Sequence, residues 1–245
     1  MMSNDRKLLA VLIDADNIPA RYADDILREV TKYGEPALRR VYGDWSSAAL
    51  VNWKKAVVEL GMVASQETAN TTGKNASDIG LVIDAMDILH TGRFDGFVLV
   101  SSDSDFTALA NRLRENGAEV IGIGESKAPI SLRNVCNRFV LIENIVEPEK
   151  EQAKFQKTMP EKASQFAPVR LPTTKVVPLV LKAMSNIDPE AEWYGLGALG
   201  QYIVRANPDF DPRTYGSAKL SDLLVKTGQF EIDTKGKSLE VRRKI

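Results

Sequence analysis

Leu8-Leu9-Ala10-Val11-Leu12-Ile13-Asp14-Ala15-Asp16-Asn17 decides the fold. The apolar run is long enough for a strand buried on both faces and too short for a buried helix. It ends in an Asp-x-Asp. A second stretch, Phe97-Val98-Leu99-Val100-Ser101-Ser102-Asp103-Ser104-Asp105-Phe106, repeats the arrangement. Carboxylates at the C-terminal ends of parallel strands sit where open α/β sheets bind ligands. Four of them with no fixed cation nearby in sequence repel one another. A divalent ion is the simplest group that holds them together, and oxygen-only ligation suits Mg²⁺ or Mn²⁺.

Outward from these two stretches, strand and helix alternate. Strands are predicted over Leu8–Asp14, Leu38–Gly43, Met62–Glu67, Gly96–Ser102, Glu119–Gly124 and Phe139–Ile145. Helices are predicted over Pro19–Tyr33, Trp45–Leu60, Ser77–Leu89, Phe106–Asn116 and Ser131–Asn137. Gly34, Gly61, Gly92 and Gly117 follow four of these helices, as C-terminal glycines do. Short connections in this order give a three-layer, mainly parallel α/β sheet. In a doubly wound sheet the strands ending at Asp14 and Asp103 are neighbours where the strand order reverses.

Residues 146–171 break the pattern with charge and proline (Pro148, Pro160, Pro168) and read as a linker, with room for a short helix within Glu149–Lys157. The expected division is 6–146, a linker over 147–170, and a second domain over 171–245. That domain reads as three helices, Thr173–Asn186, Leu196–Asn207 and Tyr215–Thr227, then a hairpin of Phe230–Asp233 and Ser238–Arg242. This is the winged-helix order.

The totals narrow the function classes. With 245 residues, 44% hydrophobic and 27% charged, each part can bury a core. No apolar run approaches the roughly 20 residues of a membrane helix, and the polar start Met1–Lys7 does not read as a signal peptide. A single cysteine, Cys136, allows no internal disulfide and fits a cytoplasmic protein. With one Cys and one His (His90), zinc held by Cys and His is excluded. Residues 1–150 sum to −5 and residues 151–245 to +4. That suits a catalytic front and a polyanion-binding back, and equally a solvated surface. Composition leaves a homo-oligomer open.

Asp78, in Lys74-Asn75-Ala76-Ser77-Asp78, falls in the first turn of the third helix near the same sheet edge. Ile79, Val82, Ile83 and Met86 read as that helix's apolar stripe. Phosphodiester hydrolysis needs an activated water and neutralisation of the leaving oxygen, and carboxylate-held divalent ions supply both. Asp14, Asp78 and Asp103 are the main ligand candidates, with Asp105 a fourth. Asp105 and Asp16 read equally as turn or helix-capping residues. Asn17 could orient Asp14 or hold a water of the metal's shell. Lys74 could meet a phosphate. Asp84 and Asp87 read as helix-surface or network residues. Gly122-Ile123-Gly124-Glu125-Ser126-Lys127 lacks the spacing of a phosphate loop and reads as a strand-to-helix turn. It still places Ser126 and Lys127 near the acid edge, where they could touch substrate.

These motifs, Asp14-Ala15-Asp16-Asn17, Lys74-x3-Asp78-x5-Asp84 and Ser101-Ser102-Asp103-Ser104-Asp105-Phe106, resemble those of NYN domains over about residues 6–146. NYN domains are PIN-like, metal-dependent ribonucleases. The resemblance implies a Mg²⁺ or Mn²⁺ site on Asp14, Asp78 and Asp103, with Asp105 added, that cuts RNA. From about 171 to 243 the chain resembles a LOTUS (OST-HTH) winged helix. Tyr194-Gly195-Leu196-Gly197-x-Leu199-Gly200, Pro208-Asp209-Phe210-Asp211-Pro212-Arg213-x-Tyr215-Gly216 and Lys219-Leu220-Ser221-Asp222-Leu223-Leu224 carry it. It implies binding of RNA, including G-rich and G-quadruplex RNA, or of a protein partner.

From the residues themselves, Leu220, Leu223 and Leu224 share a helix face and belong in the core. Lys219 and Lys226 fall off that face and could meet phosphates. Lys235, Lys237, Arg242, Arg243 and Lys244 put positive charge on the hairpin and tail. Trp193 and Tyr215 could stack on bases, though either reads as packing too. Two other readings stay open: a non-catalytic RNA-binding adaptor with a vestigial acid site, and a phosphatase of the haloacid-dehalogenase type. The latter also opens on strand-Asp-x-Asp, but here Asn17-Ile18-Pro19 follows in place of its usual residues.

Overall fold

The computed structural model describes residues 6–66, 76–146, 170–234 and 238–244. They fall into two compact units, one within Met1–Met159 and one within Pro160–Ile245. The linker reading of 147–170, Arg170 apart, and the helix within Glu149–Lys157 lie outside the described residues.

The first unit is a six-stranded, wholly parallel sheet: β1 (Leu8–Asp14), β2 (Glu35–Gly43), β3 (Val63–Gln66), β4 (Gly96–Val100), β5 (Glu119–Gly124) and β6 (Arg138–Leu141). The spatial order is β3-β2-β1-β4-β5-β6. The order reverses between β1 and β4, whose register pairs Ile13 with Val100. Asp14 and the residues after Val100 therefore leave the sheet side by side, as the alternation predicted.

Two apolar layers cover the sheet. α1 (Ala23–Val30) and α2 (Val51–Glu59) pack on Leu9, Val11, Ile13 and Val41. α3 (Ala76–His90), α4 (Thr107–Glu115) and α5 (Ile130–Val135) pack on Ala10, Leu12, Phe97 and Leu99. Successive residues of β1 thus feed opposite cores, which is why its sequence is apolar throughout. The predicted helices shorten at their starts because 3₁₀ turns over Ala20–Tyr22, Ala48–Leu50 and Ser104–Phe106 precede α1, α2 and α4.

Two sequence expectations change in this unit, the buried face of α3 and the role of Gly34. Ile79 and Ile83 are 60% and 58% exposed, and α3 buries Leu81, Ala85 and Ile88 instead. This helix is apolar nearly all round, so periodicity does not select the face the sheet covers. Gly122 and Gly124 lie inside β5, within its predicted bounds, and the turn toward α5 follows them. A Cβ on Gly124 would stand 2.5 Å from the Ser101 carbonyl oxygen, and one on Gly122 would stand 2.4 Å from the Phe139 ring. These glycines let β6 side chains and the loop after β4 press onto the sheet. Gly34 has an ordinary φ and serves as a close approach to Lys7 and Leu9, whereas Gly61, Gly92 and Gly117 adopt positive φ after their helices.

The second unit holds α6 (Val176–Ile187), α7 (Leu196–Ala206) and α8 (Leu220–Thr227). An antiparallel sheet closes it, ordered β7 (Tyr194–Gly195), β9 (Glu240–Arg243), β8 (Phe230–Asp233). The helix read as Tyr215–Thr227 starts only at Leu220. Gly216 takes a left-handed φ of 72°, and Lys219 is extended, so the chain turns before the helix begins. Leu223 and Leu224 are buried, and Leu220 is half-buried against them. None of the described helices is long and apolar enough to cross a membrane.

Two glycines test this packing. Gly124→Ala forces a Cβ against backbone that cannot yield, and a loss of about 2 kcal/mol is expected in urea unfolding. At Gly195 a Cβ would meet nothing within 4 Å, so Gly195→Ala should change stability by less than about 0.5 kcal/mol.

Candidate functional site

Asp14 ends β1 and is 4% exposed, a carboxylate sunk into the sheet edge. The fold holds both its oxygens. The backbone N–H groups of Asp16 and Asn17 donate to Oδ1 at 3.2 and 3.1 Å, and the Ser101 hydroxyl donates to Oδ2 at 2.8 Å. Ser101 Oγ also accepts the Asp103 N–H at 3.1 Å. One serine therefore ties the loop after β4 to the acid after β1. Asn17 adds a second tie: its Oδ1 accepts the Ser102 N–H at 3.1 Å. The Ser102 hydroxyl in turn accepts the Glu125 N–H at 2.8 Å. Ser101 and Ser102 lay within the quoted motif, but nothing in the sequence distinguished them as positioning residues.

Burial pushes the Asp14 carboxyl up to about 6, against the pull of the Ser101 hydrogen bond, and the charges of Asp78 and Asp16 push the same way. Asp78, half-buried in the first turn of α3, is also raised. Burial contributes most, then repulsion from Asp103, Asp16 and Asp105. The five acids therefore share one electrostatic neighbourhood. Asp16 is exposed and accepts the Ser77 hydroxyl at 2.9 Å. Asp103 caps the 3₁₀ turn, its Oδ1 accepting the Asp105 N–H at 2.9 Å. The capping role the sequence offered to Asp105 falls to Asp103, and Asp105 itself is exposed.

The donor set is all oxygen, acidic and mutually repulsive, which fits a hard divalent cation. Asp14, Asp78 and Asp103 would hold it, with Asp105 and Asp16 beside them. Among the described residues no three acids converge tightly enough to hold one ion as they stand. The chemistry of the set carries the fit. Further along α3, Asp84 is a network residue, paired with Arg40 and accepting the Tyr42 hydroxyl.

At the neighbouring edge Lys127 pairs with the buried Glu125 at 2.7 Å, and the Ser126 N–H donates to Glu143 Oε1 at 2.8 Å. Ser126 and Lys127 thus brace the β5 and β6 ends. Lys74 lies outside the described residues. From Asp16 and Asn17 a groove of about 1020 Å³ runs between the Ile18–Asp24 segment and α2, past Arg21, Asn52 and Lys55.

In the second unit Lys219 is exposed, and exposed Lys226 donates to the Gly216 carbonyl at 2.8 Å. The Arg242 guanidinium lies 4.6 Å from the Trp193 ring centre and pairs with Glu192 and Glu231. One face of Trp193 is thus occupied by Arg242, whose charge is already matched. Tyr215 is half-buried and packs on Phe210 with ring centres 5.9 Å apart. Lys235 and Lys237 lie outside the described residues.

The NYN domain matches residues 8–143, from the first residue of β1 to the turn after β6. The chain belongs to the NYN family. An OST-HTH/LOTUS domain follows at residues 168–241. A crystal structure of a protein of unknown function from Vibrio parahaemolyticus RIMD 2210633 is 21% identical, with a TM-score of 0.49 over 58% of this chain and 96% of its own. An uncharacterized protein from Nitrosomonas europaea, solved by NMR, is 31% identical, with a TM-score of 0.26 over 37% of this chain and 90% of its own. Neither likeness bears on what the chain does. No curated protein matches it.

The raised Asp14 of this NYN unit has a consequence for stability. Its carboxyl is protonated in both folded and unfolded states below its ordinary value of 3.8 and costs nothing there. Stability is lost as pH rises through about 6, because the folded state resists ionisation. Asp14→Asn, measured with a chelator present, should therefore match the parent near pH 4 and exceed it at pH 7.5 by about 2 kcal/mol in urea unfolding. A parent more stable than the variant at pH 7.5 would contradict the assignment.

Proposed function

We propose that this chain is a divalent-metal-dependent endoribonuclease that hydrolyses RNA phosphodiesters at the β1/β4 edge, with RNA recruited by the C-terminal unit. An NYN domain is nuclease-like, and an OST-HTH/LOTUS domain binds RNA, so an RNA-directed nuclease or binder is the class both matches support. The observation that carries the catalytic reading is the buried Asp14, held on both oxygens, with Asp78, Asp103 and Asp105 in its electrostatic neighbourhood. A structural N-cap alone does not need a carboxylate this buried or this crowded.

Asp14, Asp78 and Asp103 are the proposed Mg²⁺ or Mn²⁺ ligands, with Asp105 the fourth. When bound, such an ion offsets the carboxylate repulsion, lowers the pKa of a water and neutralises charge developing on the phosphate. The protein's own groups do the positioning. Ser101 fixes the Asp14 carboxylate, Asn17 fixes the loop carrying Asp103, and the Asp103 side chain rigidifies the turn that presents Asp105. The groove beginning at Asp16 offers a path for a strand entering the site. Lys219, Lys226 and the aromatic rings of Trp193 and Tyr215 are the proposed RNA contacts of the second unit, with G-rich RNA among the ligands to test. A cytoplasmic location is part of this reading.

A second reading, a non-catalytic RNA-binding adaptor, draws on one observation: no three described acids already converge on an ion position. Cleavage of structured and G-rich RNAs, titrated with Mn²⁺ and Mg²⁺, separates the two. Asp103→Asn and Asp14→Asn should each lower the rate by about 100-fold or more, with unchanged RNA affinity. Equal cleavage by parent and both variants, or tight binding with no turnover under either metal, would favour the adaptor. Lys219→Glu should weaken RNA binding and reduce its salt dependence, leaving cleavage of a dinucleotide intact.

A further inference from the structure

The far end of the sheet carries a second cavity. β3 pairs only with Arg40–Gly43 of β2, its first residue Val63 lying opposite Arg40. The earlier half of β2, Glu35–Arg39, therefore has no described strand on that side. The end of α3 and the Arg93–Phe94 connection into β4 line the shelf this leaves. It encloses about 420 Å³, within the size range of small-ligand pockets. Leu38, Ile88 and Phe94 give it an apolar floor, and Arg39, Arg40 and Arg93 line it. No carboxylate is among its described lining residues.

The three guanidiniums differ in what already engages them. Arg40 is neutralised by Asp84 and bonded to it. Among the described residues Arg39 donates to a neutral group, the Leu60 carbonyl, at 3.2 Å, and has no carboxylate partner. Arg93 is exposed and has no carboxylate partner among the described residues. Two fork-shaped donors with no carboxylate partner among the described residues, beside an apolar floor, suit a ligand that is anionic at one end and flat and apolar at the other.

We infer that this cavity is a nucleotide-binding site, distinct from the acid edge, in which Arg93 and Arg39 take the phosphate and Leu38, Ile88 and Phe94 take the base. The nucleotide has two possible sources: a free mononucleotide, or one residue of an RNA strand. Asp78 and Ile88 lie near opposite ends of α3, about 15 Å apart at 1.5 Å per residue. About four or five stacked nucleotides at 3.4 Å each span that length. The strand source rests on the proposed ribonuclease function. The free-nucleotide source does not.

The test uses the full chain with a chelator present, so that no cleavage intervenes. Binding of adenosine 5′-monophosphate, adenosine and inorganic phosphate is measured by calorimetry. The monophosphate should bind saturably and more tightly than either fragment, and Arg93→Glu should weaken it by roughly tenfold or more. Arg93→Lys, which keeps charge but loses the fork, should fall between. Asp103→Asn should leave this binding unchanged, so a failed nuclease reading and a failed pocket reading give different results. A single-stranded RNA hexamer whose affinity drops in Arg93→Glu, and which adenosine monophosphate displaces, identifies the strand source. A hexamer insensitive to the substitution identifies the free nucleotide. No saturable monophosphate binding, phosphate binding as tightly as the monophosphate, or affinity untouched by Arg93→Glu would each overturn the site.

Discussion

Everything at the acid edge depends on keeping the Asp14 carboxylate where water cannot easily reach it. Burying such a group is costly unless its oxygens are bonded. The chain meets that cost with two backbone N–H groups from its own turn and one hydroxyl from the loop after β4. The hydroxyl matters most, because Ser101 belongs to the loop that carries Asp103 and Asp105. Satisfying one buried acid thus fixes the position of the others. Gly124 extends the constraint into β5, since its missing side chain lets the Ser101 carbonyl sit against the sheet. The residual repulsion among the acids is not relieved by any protein cation in the contacts described, and a bound divalent ion is the group that would relieve it.

The two strand ends could be read in the sequence because a parallel strand buried on both faces is a continuous apolar run, and its polar end marks the sheet edge. β1 and β5 match their predicted bounds for that reason. Asp78 was also legible, as the acid in the first turn of a helix that must start at the same edge. What failed was the choice of face. In α3 the exposed Ile79 and Ile83 look no different in sequence from the buried Leu81 and Ile88. Only the position of the sheet separates them.

Other features need contacts between residues far apart in the chain, and no local pattern encodes them. Ser101 meets Asp14 across 87 positions, and Arg40 meets Asp84 across 44. Arg242 covers Trp193 because the short strand β7 pairs with β9, and a two-residue strand leaves no periodic trace. The arginine-lined cavity exists because β3 is shorter than β2, a difference of strand lengths that a sequence of alternating elements does not display. The match of residues 8–143 to the NYN domain accords with the motif order, while the roles of individual acids rest on the geometry around Asp14.

The central claim is that Asp14, Asp78 and Asp103 together form one divalent-cation site. Calorimetric titration of the full chain with Mn²⁺, repeated on Asp14→Asn, Asp78→Asn and Asp103→Asn, tests it without reference to any substrate. The account expects saturable binding in the parent and a loss of about tenfold or more in each variant. Binding that is absent in the parent, or that survives all three substitutions unchanged, would contradict it.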